Sequence, residues 1–115
     1  MRVDVHINGG ISNADMKEAM ETAIVMTSEQ ALGHCNKYCK MDTGALIESS
    51  NTHSDFKKGE LKWVEPYAEK QYRLPAAHRD KNALATSEWC QVAEANYGDK
   101  WQATFKQAYE RGLHR

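Results

Sequence analysis

His34, Cys35 and Cys39 form the densest group of metal-ligating side chains in this sequence. Cys35 and Cys39 stand four residues apart and so share a helix face, and both thiolate and imidazole bind zinc. A structural zinc needs four ligands, however. Cys90 and the scattered His6, His53, His78 and His114 add neither a Cys-x-x-Cys nor a His-x-x-x-His spacing. Cys35 and Cys39 therefore read as small apolar residues on a buried stripe. The stretch His78 to Lys81, with Ser87 and Glu88, holds an acid, a base and a hydroxyl. No Gly-x-Ser-x-Gly elbow, phosphate-binding glycine loop or paired-carboxylate motif accompanies it. Asp42-Thr43-Gly44 matches the aspartic-protease triplet, but here it follows a long helical pattern, whereas that enzyme class sets it in an all-β lobe. Asp and Thr then bond their own backbone at a helix exit, and Gly44 tolerates positive φ. The expectation is a protein with no catalytic residues, no metal and no cofactor.

Lys57, Lys58, Lys62, Lys70, Arg73, Arg79 and Lys81 make the middle of the chain mildly basic, with Trp63, Tyr67 and Tyr72 interleaved. Basic groups beside aromatic platforms are how single strands are held. Glu60, Glu65, Glu69 and Asp80 alternate with those cations, which is the pattern of a solvated face or a subunit contact. The net charge of −1 also lacks the basic footprint of a dedicated nucleic-acid binder. A small nucleic-acid-binding or accessory protein is thus the alternative reading.

These residues need elements to position them. At 115 residues the chain suits one domain with a thin core, a size that often gains stability by oligomerising. No apolar run approaches a membrane span, and Met1-Arg2-Val3-Asp4 lacks the build of a secretory signal. Three cysteines, an odd number, imply no disulfide framework. Val3 to Ile7 alternates as a short strand or arm within residues 1–11. Ser12 or Asn13 caps a helix over 13–39, whose stripe is Met16, Met20, Ala23, Ile24, Thr27, Ala31, Leu32, Cys35 and Tyr38 or Cys39. At about 40 Å that helix outruns a small sheet, so part of it should touch something else, such as another subunit.

Residues 45–64 read as a β-hairpin turning at Asp55 to Gly59, with Leu61 and Trp63 on one face. Pro66 ends the ladder, 66–74 form a short helix and 75–85 a loop. The helical part 86–112 starts at Thr86 or Ser87 and breaks at Asn96-Tyr97-Gly98-Asp99. The fold class is α+β: a long N-terminal helix packed on a small antiparallel β-sheet, with shorter C-terminal helices.

Two blocks go further, Met41-Asp42-Thr43-Gly44-Ala45-Leu46 and Gly59-x-Leu61-x-Trp63-x-x-Pro66-Tyr67-Ala68, followed by Gln71-Tyr72, Trp89 and Trp101. With the long first helix before them, they resemble the minor capsid family of tailed bacteriophages, related in plan to siphophage head-tail connector proteins. The resemblance covers about residues 13 to 110. It departs from the pattern at Ala45-Leu46-Ile47-Glu48, where many relatives are more basic, and in the charged loop from Pro75 to Leu84. It implies a structural virion protein of the neck, assembled in the host bacterial cytoplasm, that forms a ring joining the DNA-filled head to the tail. The partners implied are its own copies, about six or twelve, and neighbouring connector, head-closure, tail-terminator or tail-tube proteins. DNA would pass the channel without sequence-specific binding, and no membrane is involved. Asp42, Thr43, Gly44 and Leu46 would set the turn. Trp63, Pro66 and Tyr67 would hold the hairpin against the first helix, with Tyr72, Trp89 and Trp101 as further hairpin and interface positions.

Overall fold

A computed structural model of the chain describes residues 1–4, 14–40, 44–65, 67–74 and 84–113. Two long helices dominate it, α1 (Ala14–Lys37) and α4 (Trp89–Leu113), each about 36 Å long at 1.5 Å per residue. They run antiparallel, since Ala19 meets Gly112 at one end and His34 meets Tyr97 at the other. Between them come α2 (Ala45–His53), a 3₁₀ turn (Phe56–Lys58), β2 (Glu60–Lys62) and α3 (Ala68–Arg73), and β1 (Arg2–Asp4) precedes them all. The fold is α+β. Within the chain the length of α1 is matched by α4, which carries its own small-residue stripe of Ala93, Ala108 and Gly112 to lay against it.

The long-helix stripe read from the sequence is buried at Met20, Ala23, Thr27, Ala31, Leu32, Cys35 and Cys39, with Ala19 and Ser28 joining it. In the second half of the chain the alternation of Leu61 and Trp63 is realised: both are buried while Lys62 between them stays half-exposed. β2 pairs with β1 in antiparallel register, Arg2 opposite Lys62, Val3 opposite Leu61 and Asp4 opposite Glu60. Arg2 also reaches Glu60 across the pair at 3.4 Å.

The hairpin over 45–64 is corrected. Its first arm is helix α2, and the only strand-like pairing left between the two arms is one antiparallel bridge, Asp55 to Glu60, around the 3₁₀ turn and Gly59 at φ 69°. The physical reason lies in the serines. Within a helix Ser49 and Ser50 bond the carbonyls three residues back, Leu46 at 2.7 Å and Ile47 at 2.6 Å. From there they turn toward β2: Ser49 Oγ accepts the Val64 N–H at 3.2 Å, and Ser54 Oγ accepts the Lys62 N–H at 2.9 Å. The outer edge of β2 is thus satisfied by hydroxyls from a helical segment, so no second strand is needed there. Gly44 does take positive φ, 86°, as its sequence context suggests, but it opens a helix rather than an extended segment.

The second correction is α4, which runs unbroken through Asn96-Tyr97-Gly98-Asp99. Asn96 does not cap a new helix; its Nδ2 donates to Val92 O at 3.1 Å and to Tyr38 Oη at 3.2 Å. Packing on α1 outweighs the roughly 1 kcal/mol that a mid-helix glycine costs. At the start of α4, Glu88 sits at φ 51°, held by its N–H to Tyr72 O at 2.6 Å, so neither Thr86 nor Ser87 is the capping residue.

The core lies at one end of the molecule, where Leu32 and Cys35 of α1 and Cys39 just beyond it meet Leu61, Trp63, Ala68, Trp89, Cys90 and Ala93. The far half of the α1–α4 pair extends away as an arm, giving extents of 48 × 25 × 19 Å. There the helices approach closely: a Cβ on Gly112 would lie 2.7 Å from Ala19 Cβ and 3.0 Å from its Cα. In contrast, Gly33 faces open space.

Two substitutions of one kind should therefore have opposite signs. Gly33→Ala should raise stability by roughly 0.5–1 kcal/mol through helix propensity, whereas Gly112→Ala should lower it by about 1–3 kcal/mol by overpacking. Urea titrations followed by circular dichroism would check both. Gly44→Val should cost about 1–2 kcal/mol in the same assay, since a β-branched residue is strained at positive φ.

Candidate functional site

The residues singled out in the sequence divide between core and surface. Trp63 and Trp89 are fully buried and meet edge to face at 5.9 Å, and Trp89 meets Tyr72 likewise at 4.6 Å. Trp63 Nε1 donates to Asn36 Oδ1 at 2.9 Å, which ties β2 to α1. Leu46 is half-buried against this core. Tyr67, in contrast, is 70% exposed and does not hold anything against α1, because α3 turns it outward. Asp42, Thr43 and Pro66 lie outside the described residues, as do His78, Arg79, Asp80 and Lys81. Among the described residues, Trp63 and Tyr72 pack inward rather than beside the mid-chain cations, Lys62 pairs with Glu60 at 3.4 Å, and Arg73 pairs with Glu69 at 3.1 Å.

His34, Cys35 and Cys39 are split by helix geometry. Cys35 and Cys39 face the core, where they join Cys90, and all three are free thiols. Burial pushes the Cys39 thiol up to about 12, with Cys35 adding to the effect. The Cys90 thiol is also raised, by its hydrogen bond to Cys35 and by burial. Such thiols stay protonated at neutral pH and are poor nucleophiles. Among the described residues no group of three His, Cys, Asp or Glu side chains is arranged to hold a metal. A groove of about 970 Å³ beside α4 reaches this region, floored by Ala31, Cys35 and Leu61. Its rim carries Asp4, Glu94 and Asp99 against Lys106, so its charge is more acidic than basic.

His34 points the other way, into a seam between the two long helices. Its ring stacks on Tyr97 at 4.0 Å and 14°, and Trp101 Nε1 donates to His34 Nδ1 at 2.6 Å. An accepting Nδ1 places the ring proton on Nε2 of a neutral imidazole. Lys37 Nζ donates to Tyr97 Oη at 2.5 Å, and the Lys37 and Lys100 ammonium groups stand 5.0 and 5.4 Å from the centre of the Tyr97 ring. Burial, then Lys100, then Lys37 lower the His34 pKa from 6.5. The Tyr97 hydroxyl is lowered too, chiefly by its hydrogen bond from Lys37. Sequence reasoning missed this cluster. The signal was present as His34-x-x-Lys37-Tyr38 and Tyr97-x-x-Lys100-Trp101, each at helical spacing, but only the antiparallel register of α1 and α4 lays one set on the other.

The neutral His34 gives a pH prediction. The fold favours the uncharged ring, so its contribution is fully present above the unfolded value of 6.5 and is lost as pH falls through the lowered folded value. Thermal midpoints should therefore fall between about pH 7 and about pH 5, and His34→Gln should flatten that limb.

Comparisons were made with known families, curated proteins and solved structures, and this chain matches none of the three.

Proposed function

We propose that this chain is a structural protein of the bacteriophage neck, forming an oligomeric ring that helps join the DNA-filled head to the tail. The reading begins from the resemblance carried by the blocks around Gly44 and Trp63. The geometric observation that supports it is the placement of exposed apolar side chains in two separate regions. Met26 and Leu113 are exposed on the α1–α4 arm, at 45% and 39%. Val64, Tyr67, Leu74 and Leu84 are exposed around α3, at the core end. A ring closes by heterologous contact, in which one patch of each copy meets a different patch of the next. An elongated molecule with exposed apolar side chains both on its arm and at its base has the parts for that contact.

The mechanism is assembly. Ring contacts bury Tyr67 and its neighbours against the arm of the next copy, and the remaining faces meet connector and tail components above and below. DNA passes through the channel without being read. The buried thiols pack the core in this reading and do no chemistry.

Phage carrying a stop codon in this gene should give filled heads and free tails, unjoined, in negative-stain micrographs of the lysate, with joining restored by the intact gene. Normal virions of normal infectivity would overturn the neck role. For the contact itself, Tyr67→Glu and Met26→Glu should each shift the purified protein from oligomer toward monomer in light scattering, with unchanged helical content.

A further inference from the structure

Trp101 belongs to two places at once. Its Nε1 donates to His34 Nδ1 in the seam at 2.6 Å, and it also lines the groove floored by Ala31, Cys35 and Leu61. An indole N–H can only donate, so this bond exists only while His34 Nδ1 keeps a free lone pair. A protonated imidazole carries an N–H on both nitrogens and has no acceptor anywhere on the ring, so turning the ring over cannot restore the bond. The stack on Tyr97, at 4.0 Å, tolerates the charge, because an aromatic face attracts a cation. Trp101 is therefore the partner that has to give way, and it is only half-buried. The titratable groups facing His34 are Lys37 on its own helix and Tyr97 and Lys100 on α4, with Tyr38 beside Tyr97 at 6.5 Å. Among the described residues no carboxylate pairs with His34 to offset those ammonium groups.

We propose that His34 is an acid-operated latch: a proton taken from solvent at Nδ1 releases the Trp101 indole from the α1–α4 seam and so alters the wall of the groove beside α4. At neutral pH the latch is closed. Burial, Lys100 and Lys37 all lower the His34 pKa from 6.5, so it opens only in acid. The change is local, because the other two indoles make no bond to a histidine: Trp63 donates to Asn36, and Trp89 Nε1 has no hydrogen-bond partner among the described residues. The latch is a property of the single chain and stands whether or not the neck reading holds.

The test is an NMR titration of the isotope-labelled chain from about pH 8 down to about pH 4.5, following the indole N–H signals together with the His34 ring signals. The Trp101 signal should shift or broaden with the same midpoint as His34, below 6.5, while the Trp63 and Trp89 signals stay in place. The methyl signals of Ala31 and Ala103, which line the groove, should move with Trp101. His34→Gln offers an acceptor that does not titrate, so the Trp101 signal should stay flat across the range. Lys100→Gln removes the larger of the two charge effects and should move the His34 and Trp101 midpoints upward together. A Trp101 signal that stays fixed while His34 titrates, or that still titrates in His34→Gln, would overturn the latch. So would loss of all the indole signals at one pH, which is acid unfolding of the whole chain. Titration of Trp101 with stationary Ala31 and Ala103 methyls would overturn its link to the groove. Circular dichroism of each variant at neutral pH keeps folding separate from the latch.

Discussion

The buried indole N–H of Trp63 needs an acceptor, and supplying one organises the core end of the molecule. A donor left unpaired there would cost about 1–3 kcal/mol. Asn36 of α1 accepts it, and Asn36 Nδ2 in turn donates to Ser50 Oγ at 2.8 Å, whose own hydroxyl donates to Ile47 O. One chain of hydrogen bonds therefore fixes β2, α1 and α2 relative to one another. The ring of Trp63 extends the same constraint apolarly, edge to face on Trp89 of α4, which meets Tyr72 of α3. Trp89 Nε1 has no hydrogen-bond partner among the described residues, so of the two buried indoles it is Trp63 that ties this core together through a polar contact.

Around that centre, orphan backbone groups are satisfied by side chains from elsewhere in the chain. The N–H groups on the outer edge of β2 go to Ser49 and Ser54. The C-terminal carbonyls of α3, Gln71 O and Leu74 O, are met by Lys40 Nζ, a cation at the negative end of a helix dipole. These substitutes let two three-residue strands and a six-residue helix persist without a larger sheet. The arm is held by the close approach of small residues, Ala19 to Gly112 above all, and among the described residues Thr27 Oγ1 and Ser28 Oγ of α1 are buried without hydrogen-bond partners. Stability is accordingly concentrated at the core end, while both regions leave apolar side chains in solvent.

The surface seam shows a different use of the same helix pair. His34 and Cys35 are adjacent in sequence and yet belong to opposite environments, one to a solvent-facing stack with two ammonium groups and the other to a buried thiol cluster. One helical step of about 100° separates them. That rotation puts His34 on a different face from Cys35 and Cys39, and among the described residues Trp63 and Tyr72 turn inward, away from the mid-chain cations, to join the core.

By itself the sequence determined the α+β class, the extent of α1 to within a few residues, the inward face of Leu61 and Trp63, the short helix after Tyr67 and the positive φ of Gly44. Each is a local property: apolar spacing, alternation, or a backbone conformation that glycine accepts without strain. Tertiary structure decided that residues 45–53 are helical, because their serines find better use bonding within a helix and across to β2 than in a strand ladder. It also decided that α4 passes through Gly98 without a break, because the length of α1 offers it a continuous surface. The candidate site depended on it entirely. His34 with Lys37, and Tyr97 with Lys100, are separated by some sixty positions, and only the antiparallel register of two helices makes them neighbours.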